Sequence, residues 1–176
     1  TGTLWAAGIE KLLFLPRGEQ VFRDTGQRLN DAAQIAQDAA GRHWIAETAR
    51  AVRPLALASS GRVGKDEEIW VGSQAITFDR DGGLWIATVG DGLRRISHPE
   101  QPKPASRVEV FTQANGLSSD LLIAALEDRE GNLWFGSDKG VDRFRHGDVV
   151  PVSIPGGHAG FTLMAGEGGD IWAASF

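Results

Sequence analysis

The sequence contains no cysteine, no tyrosine and a single methionine in 176 residues. Without cysteine there is no disulfide scaffold and no thiolate metal site, and the chain suits either a reducing cytosol or a periplasm where stray thiols are avoided. No apolar run approaches the roughly 20 residues that a membrane-spanning helix needs. The formal net charge is −5, and Lys and Arg are scattered instead of forming a basic stripe, which argues against a nucleic-acid partner. Helix signals are sparse. Glycine fills 23 positions, and the one helix-like stretch, DAAQIAQDAA at 31–40, coincides with the first strand of the repeat described below. Neither a G-x-S-x-G nucleophile elbow nor a G-x-x-x-x-G-K-[ST] phosphate loop is present. The chain opens TGTLWAA, with Thr1 and no leader pattern ahead of it, so the expectation is a piece of a longer protein whose signal peptide or anchor lies elsewhere.

What the sequence does have is a spaced set of tryptophans. A glycine stands three residues before five of the six: Gly2/Trp5, Gly41/Trp44, Gly82/Trp85, Gly131/Trp134 and Gly169/Trp172. In three copies an aspartate precedes that glycine by three more, giving D-x-x-G-x-x-W at Asp38/Gly41/Trp44, Asp79/Gly82/Trp85 and Asp128/Gly131/Trp134. Successive motif tryptophans are 39, 41, 49 and 38 residues apart. A period near 40 marks an array of supersecondary units, each unable to bury its own apolar face and therefore stacked on its neighbours.

Each unit reads as four short strands. In the fullest copy DLLIAALED (120–128) is an apolar strand, REGN (129–132) a turn, LWFGS (133–137) the second strand, VDRFRHG (141–147) the third and DVVPVSIP (148–155) the fourth. Four-stranded units at this period are the blades of a β-propeller, which hides sheet edges by radial packing. The predicted fold is all-β, a partial propeller of about four antiparallel four-stranded blades, with approximate units at 1–30, 31–72, 73–115, 116–156 and an incomplete 157–176. In each, the glycine turns the hairpin at positive φ, the aspartate accepts N–H bonds across the turn, and the tryptophan is an apolar wedge between blades. The small residue two places beyond the tryptophan (Ala7, Ala46, Ala87, Gly136, Ala174) permits close approach. A chain cut from such an array would leave edges open to further blades or to another copy of itself.

The stretch FTQANGLSSDLLIAALEDREGNLWFGSDKGVDRF (111–144) resembles the regulator-propeller repeat of the extracytoplasmic sensor region of bacterial two-component proteins. That pattern is N-G-L, an apolar strand, D-x-x-G-x-L-W-x-G-T and G-hydrophobic-x-R-hydrophobic. FDRDGGLWIATVGDGLRRI (78–96) follows it nearly as well. QDAAGRHWIAETARAVRPL (37–55) keeps Asp, Gly and Trp but not the later Gly-Leu, and the last copy has Gly166 in place of the aspartate. The resemblance implies one or two seven-bladed propellers in the whole protein, then a β-domain, a membrane helix and a cytoplasmic output such as a histidine kinase or a diguanylate cyclase. It implies a periplasmic sensing segment that is not itself an enzyme, with the remaining propeller blades as partners and an unknown small-molecule or glycan-like signal.

Residues that depart from the period are the candidates for function. Trp70, in SSGRVGKDEEIWVGSQ (59–74), falls where Ser119 leads into the next unit's first strand, so architecture does not require an indole there. With Glu67 and Glu68 it forms the candidate ligand-binding set, the alternative being an indole that plugs a gap in the packing. SHPEQPKPASR (97–107), with three prolines, is a stiff external loop that accounts for the 49-residue spacing. The four histidines, His43, His98, His146 and His158, do not pair at metal-ligand spacing, and DRDGG supplies too few oxygens for a calcium loop. The expectation is therefore no metal and no cofactor. Two other classes share G-x-x-W propeller strands: a streptogramin-lyase-type or quinoprotein-type enzyme fragment, and a plain interaction scaffold. No His/Glu pair recurs at a repeat position, as a lyase would suggest, and the tryptophan-docking motif of quinoproteins is missing.

Overall fold

A computed structural model describes residues 2–55, 68–101, 108–145, 148–154, 160–166 and 168–175. The chain folds as part of a β-propeller, and among the described residues its strands form five antiparallel sheets in which each strand pairs with the next in sequence. The first sheet holds β1 (Leu4–Ala7), β2 (Lys11–Leu15) and β3 (Arg23–Arg28), and the second holds β4 (Ala32–Gln37), β5 (His43–Glu47) and β6 (Val52–Pro54). The third is complete, with β7 (Ser73–Phe78), β8 (Leu84–Thr88), β9 (Leu93–Ile96) and β10 (Val108–Phe111). So is the fourth, with β11 (Leu122–Glu127), β12 (Leu133–Ser137), β13 (Val141–Arg145) and β14 (Asp148–Val152). A fifth sheet pairs β15 (Phe161–Ala165) with β16 (Ile171–Ser175). In the second sheet Val52 and Ile69 exchange both backbone bonds, at 2.9 and 2.8 Å, a one-residue remnant of a fourth strand.

The stretch 31–40 is strand despite its alanines, because β4 is the first strand of its sheet and tertiary pairing overrides local propensity. First strands of successive sheets lie side by side, β4 against β7, β7 against β11 and β11 against β15. Three of them carry a register irregularity in their pairing with the second strand, at Ala32/Gln34, Ser73/Ala75 and Leu122/Ala124.

The core lies between blades. One cluster joins Trp44, Ala46, Val52 and Ile69 of the second blade to Ile76, Leu84, Ile86 and Ile96 of the third. Another joins Trp85, Ala87 and Leu93 of the third blade to Leu122, Leu133, Phe135 and Phe144 of the fourth. A smaller one joins Leu12 and Leu29 to Ile45 and Leu55. Trp44 and Trp85 thus pack forward onto the following blade. Trp44 and Trp85 are 1% and 6% exposed, Trp134 is half-buried against a two-stranded fifth blade, and Trp172 is 62% exposed. The wedge expected of all five copies is fully formed only where a complete blade follows. Glycine at 136 is required by close approach: a Cβ there would stand 2.6 Å from the carbonyl oxygen of Phe161 in the fifth blade.

Polar contacts differ from junction to junction. Between the first two blades, buried Glu47 accepts the Asn30 N–H at 2.6 Å and pairs with Arg53 at 2.9 Å, and Arg53 reaches the carbonyl of Arg28. At the next junction the Gln34 side chain accepts the Ile76 N–H at 2.9 Å. At the third, Arg80 donates to the carbonyls of Asp128 and Arg129 and pairs with Glu127 at 3.1 Å.

Candidate functional site

The D-x-x-G-x-x-W motif forms a repeated clamp. In the turns between first and second strands Gly41, Gly82 and Gly131 have φ of 81, 84 and 86°, a region that L side chains avoid. One carboxylate oxygen of Asp38, Asp79 and Asp128 accepts the backbone N–H four residues on, at 2.8, 2.7 and 2.8 Å. The other accepts the indole N–H of Trp44, Trp85 and Trp134, at 3.2, 2.8 and 2.7 Å. The aspartate therefore satisfies the one polar atom of a large apolar wedge, a bond that the constant six-residue Asp-to-Trp spacing encodes. A guanidinium lies over each of these indoles: Arg42 on Trp44, Arg95 on Trp85 and Arg143 on Trp134, at 5.4–5.7 Å from the ring centre. Burial works against the Asp38 and Asp128 carboxylates, but their hydrogen bonds outweigh it and hold both below the usual range. The fifth copy keeps the turn, with Gly169 at φ 88° and Gly166 N–H to Asp170 carbonyl at 2.7 Å, and lacks the carboxylate. These residues hold the scaffold together.

The opposite end of the blades carries the candidate binding residues. Thr48, Val89 and Asp138, each following a second strand, donate to the carbonyls of Asp31, Gly72 and Leu121, each preceding a first strand. This alignment makes Leu29, Trp70 and Ser119 equivalent positions. Leu29 and Ser119 are buried, whereas Trp70 is 65% exposed. Its indole is covered on one side by the Arg50 guanidinium at 5.6 Å, and Arg50 is held by Glu68 at 3.2 Å. The Val89 N–H to Gly72 carbonyl bond brings half-exposed Val89 alongside. Trp70 and Glu68 are thus joined through Arg50, a residue that periodicity does not single out. Glu67 lies outside the described residues.

The remaining candidates are dispersed. His43 lies tilted against Trp5, ring centres 5.0 Å apart, and burial pulls its imidazole below the usual range against the pull of Asp38. His98 faces Glu100 at 3.5 Å. His146, His158 and most of the 97–107 loop lie outside the described residues. Among the described residues no group of three or more His, Asp or Glu could hold a metal ion, and no helix is long and apolar enough to cross a membrane.

Comparison with known proteins gives one family match and several likenesses of fold. The family described as two component regulator propeller matches residues 116–139, which begin just before β11 and end just after β12. The extracellular domain of a B. thetaiotaomicron protein described as a hybrid two component system superposes with a TM-score of 0.76 at 20% identity, over 99% of this chain and 25% of that one. A second B. thetaiotaomicron extracellular domain, described as a one component system, gives 0.72 at 22% identity, over 99% and 27%. Virginiamycin B lyase from Staphylococcus aureus gives 0.73 at 17% identity, over 98% and 59%. The chain spans about a quarter of the length of the two extracellular domains, and at these identities the likeness is one of fold. No match was found among curated protein sequences.

Proposed function

We propose that this chain is part of the extracytoplasmic sensing region of a bacterial two-component signalling protein, on the periplasmic side of the membrane, and that it carries out no chemistry of its own. The observation that carries the reading is the regulator-propeller match over 116–139, in a chain whose fold follows the extracellular domains of a hybrid two component system and a one component system along nearly its whole length. The phosphotransfer or cyclase output belongs to other parts of such a protein, and the remaining blades are its nearest partners.

Within this reading, the Trp70 face receives the signal. An exposed indole braced by a guanidinium presents a flat apolar surface next to hydrogen-bond donors, which suits a small molecule or a glycan whose ring faces are apolar and whose edges are polar. The equivalent positions in neighbouring blades are buried, so Trp70 has no packing role that would explain it. The test is a titration of the chain with a panel of mono- to tetrasaccharides, followed by tryptophan fluorescence. A saturable change that is lost in Trp70→Ala and kept in Trp172→Phe supports the reading; a change that survives Trp70→Ala refutes the assignment of the face. Alkaline phosphatase joined directly after this segment in the otherwise native protein reports the compartment separately, and an inactive phosphatase in a stable fusion would exclude the periplasm.

A further inference from the structure

At the turn-bearing end the last residue of the first strand differs from blade to blade: Gln37, Phe78, Glu127 and Ala165 in the second to fifth. Phe78 and Glu127 occupy the same position, each the last residue of its first strand, paired with Leu84 and Leu133 respectively. Phe78 packs edge-on against Trp44 at 5.9 Å and covers that indole. Over Trp85 the guanidinium of Arg95 stands 5.4 Å from the ring centre, and Glu127 lines the space beside it. A cleft of about 560 Å³ opens there, floored by Trp85, Phe111, Leu133 and Phe144.

The walls of this cleft are rich in negative charge. Arg80 and Arg95 are the guanidinium groups among its lining residues, and both are engaged: Arg80 with Glu127 at 3.1 Å, Arg95 with Asp79 at 3.2 Å and with Glu109 at 3.1 Å. Asp81 and Glu130 add two further carboxylates on exposed residues. Burial raises the Glu127 carboxyl above its usual range; Arg80 opposes this, and Asp79 and Asp128 add to it. An apolar floor beneath surplus carboxylates is complementary to a cation with a flat body, since ammonium groups are drawn both to carboxylates and to aromatic faces.

We propose that the cleft between the third and fourth blades binds a small organic cation of the arylalkylamine class, its ring against the partly exposed Phe111 and its ammonium toward Glu127, Asp81 and Glu130. This site is independent of the Trp70 face and of the sensing role proposed above.

The probe is 2-phenylethylammonium, titrated into the chain by calorimetry and by ligand-observed NMR, with 2-phenylethanol as its neutral counterpart. Saturable binding at or below about 1 mM is expected for the ammonium alone. Glu127→Phe, which restores the ring that Phe78 provides one blade earlier, should abolish it. The double variant Asp81→Asn/Glu130→Gln alters exposed carboxylates and leaves the Arg80 contact in place. It should weaken binding by about threefold to tenfold, the range expected for losing two solvent-exposed charges. Trp70→Ala should leave it unchanged, with melting curves verifying that each variant is folded. No saturable binding up to about 10 mM, above the range where such contacts register, would overturn the proposal. So would equal binding of 2-phenylethanol, or undiminished binding in folded Glu127→Phe or in the double variant.

Discussion

Replacing Trp85 by alanine should be among the most damaging single changes in the chain, and its size can be worked from its surroundings. A tryptophan side chain buries about 150–250 Å², which at about 25 cal/mol per Å² corresponds to roughly 4–6 kcal/mol. Allowing for a denatured chain that already buries part of this surface reduces it to about 3–4 kcal/mol. The indole N–H bond to Asp79 at 2.8 Å adds about 1 kcal/mol. No more is expected there, because Asp79 still accepts from Gly83 and Arg95 and is not left without partners. The loss should therefore be about 4–5 kcal/mol, within the range known for large-to-small changes in cores. Trp85→Phe keeps the wedge and loses the N–H, and should cost about 1–2 kcal/mol. Trp134→Ala, half-buried, should cost about 2–3 kcal/mol, and Trp172→Ala less than about 1 kcal/mol, as for a surface position. Urea titration followed by far-UV circular dichroism gives all four values. Equal losses at Trp85 and Trp172 would refute the argument that each indole draws its stability from the blade in front of it.

Three other outcomes follow from the same contacts. Gly82→Ala and Gly131→Ala both force alanine to φ near 85°, but only at 131 would the new methyl meet a guanidinium, that of Arg80 at 3.1 Å. Both should lose about 1 kcal/mol or more, with the larger loss at 131, and equal losses in thermal melts would show that Arg80 does not brace the junction. The Asp128 carboxyl is held low in the folded state, so its contribution is present above the unfolded value near 4 and is lost as the pH falls through the folded one. Asp128→Asn should flatten the fall in melting temperature below about pH 4, and an unchanged acid limb would contradict the hydrogen-bond account. Arg53→Met leaves Glu47 buried without its cation and should cost about 3–5 kcal/mol; a loss below about 1 kcal/mol, typical of exposed pairs, would show that the Asn30 N–H alone sustains the carboxylate.

Much of the scaffold is legible in the residues. The 40-residue period, the glycine at positive φ and the alternation of strands and turns are local or periodic properties, so Gly131 and Trp134 can be placed without coordinates. DAAQIAQDAA shows the limit of local propensity: its composition favours helix, and only its phase in the repeat identifies the strand. The burial of the tryptophans is less legible, because it depends on the blade that follows. Nothing near Trp134 in sequence distinguishes it from Trp85, and the Gly166 that replaces the aspartate ahead of Trp172 does not itself expose the indole. At the candidate site, the break in periodicity points to Trp70, but its brace Arg50 comes from the loop of another strand. Glu127 reads as an ordinary strand-end residue until it is superposed on Phe78.

The unlike polar contacts at successive junctions bear on how such an array assembles. All its seams are built from the same kind of apolar surface, and apolar packing tolerates substitution of one similar face for another. A chain of near-identical units therefore risks docking a blade against the wrong neighbour, or against the corresponding blade of a second molecule, as repeat proteins do when they misfold. Here a mispaired second blade would leave Glu47 buried with no Asn30 N–H to bind, and a mispaired third would strand Arg80 away from the two carbonyls it caps. Each seam thus carries its own lock, and the order of the blades is written in groups that add little to the strength of the fold but make every other order worse.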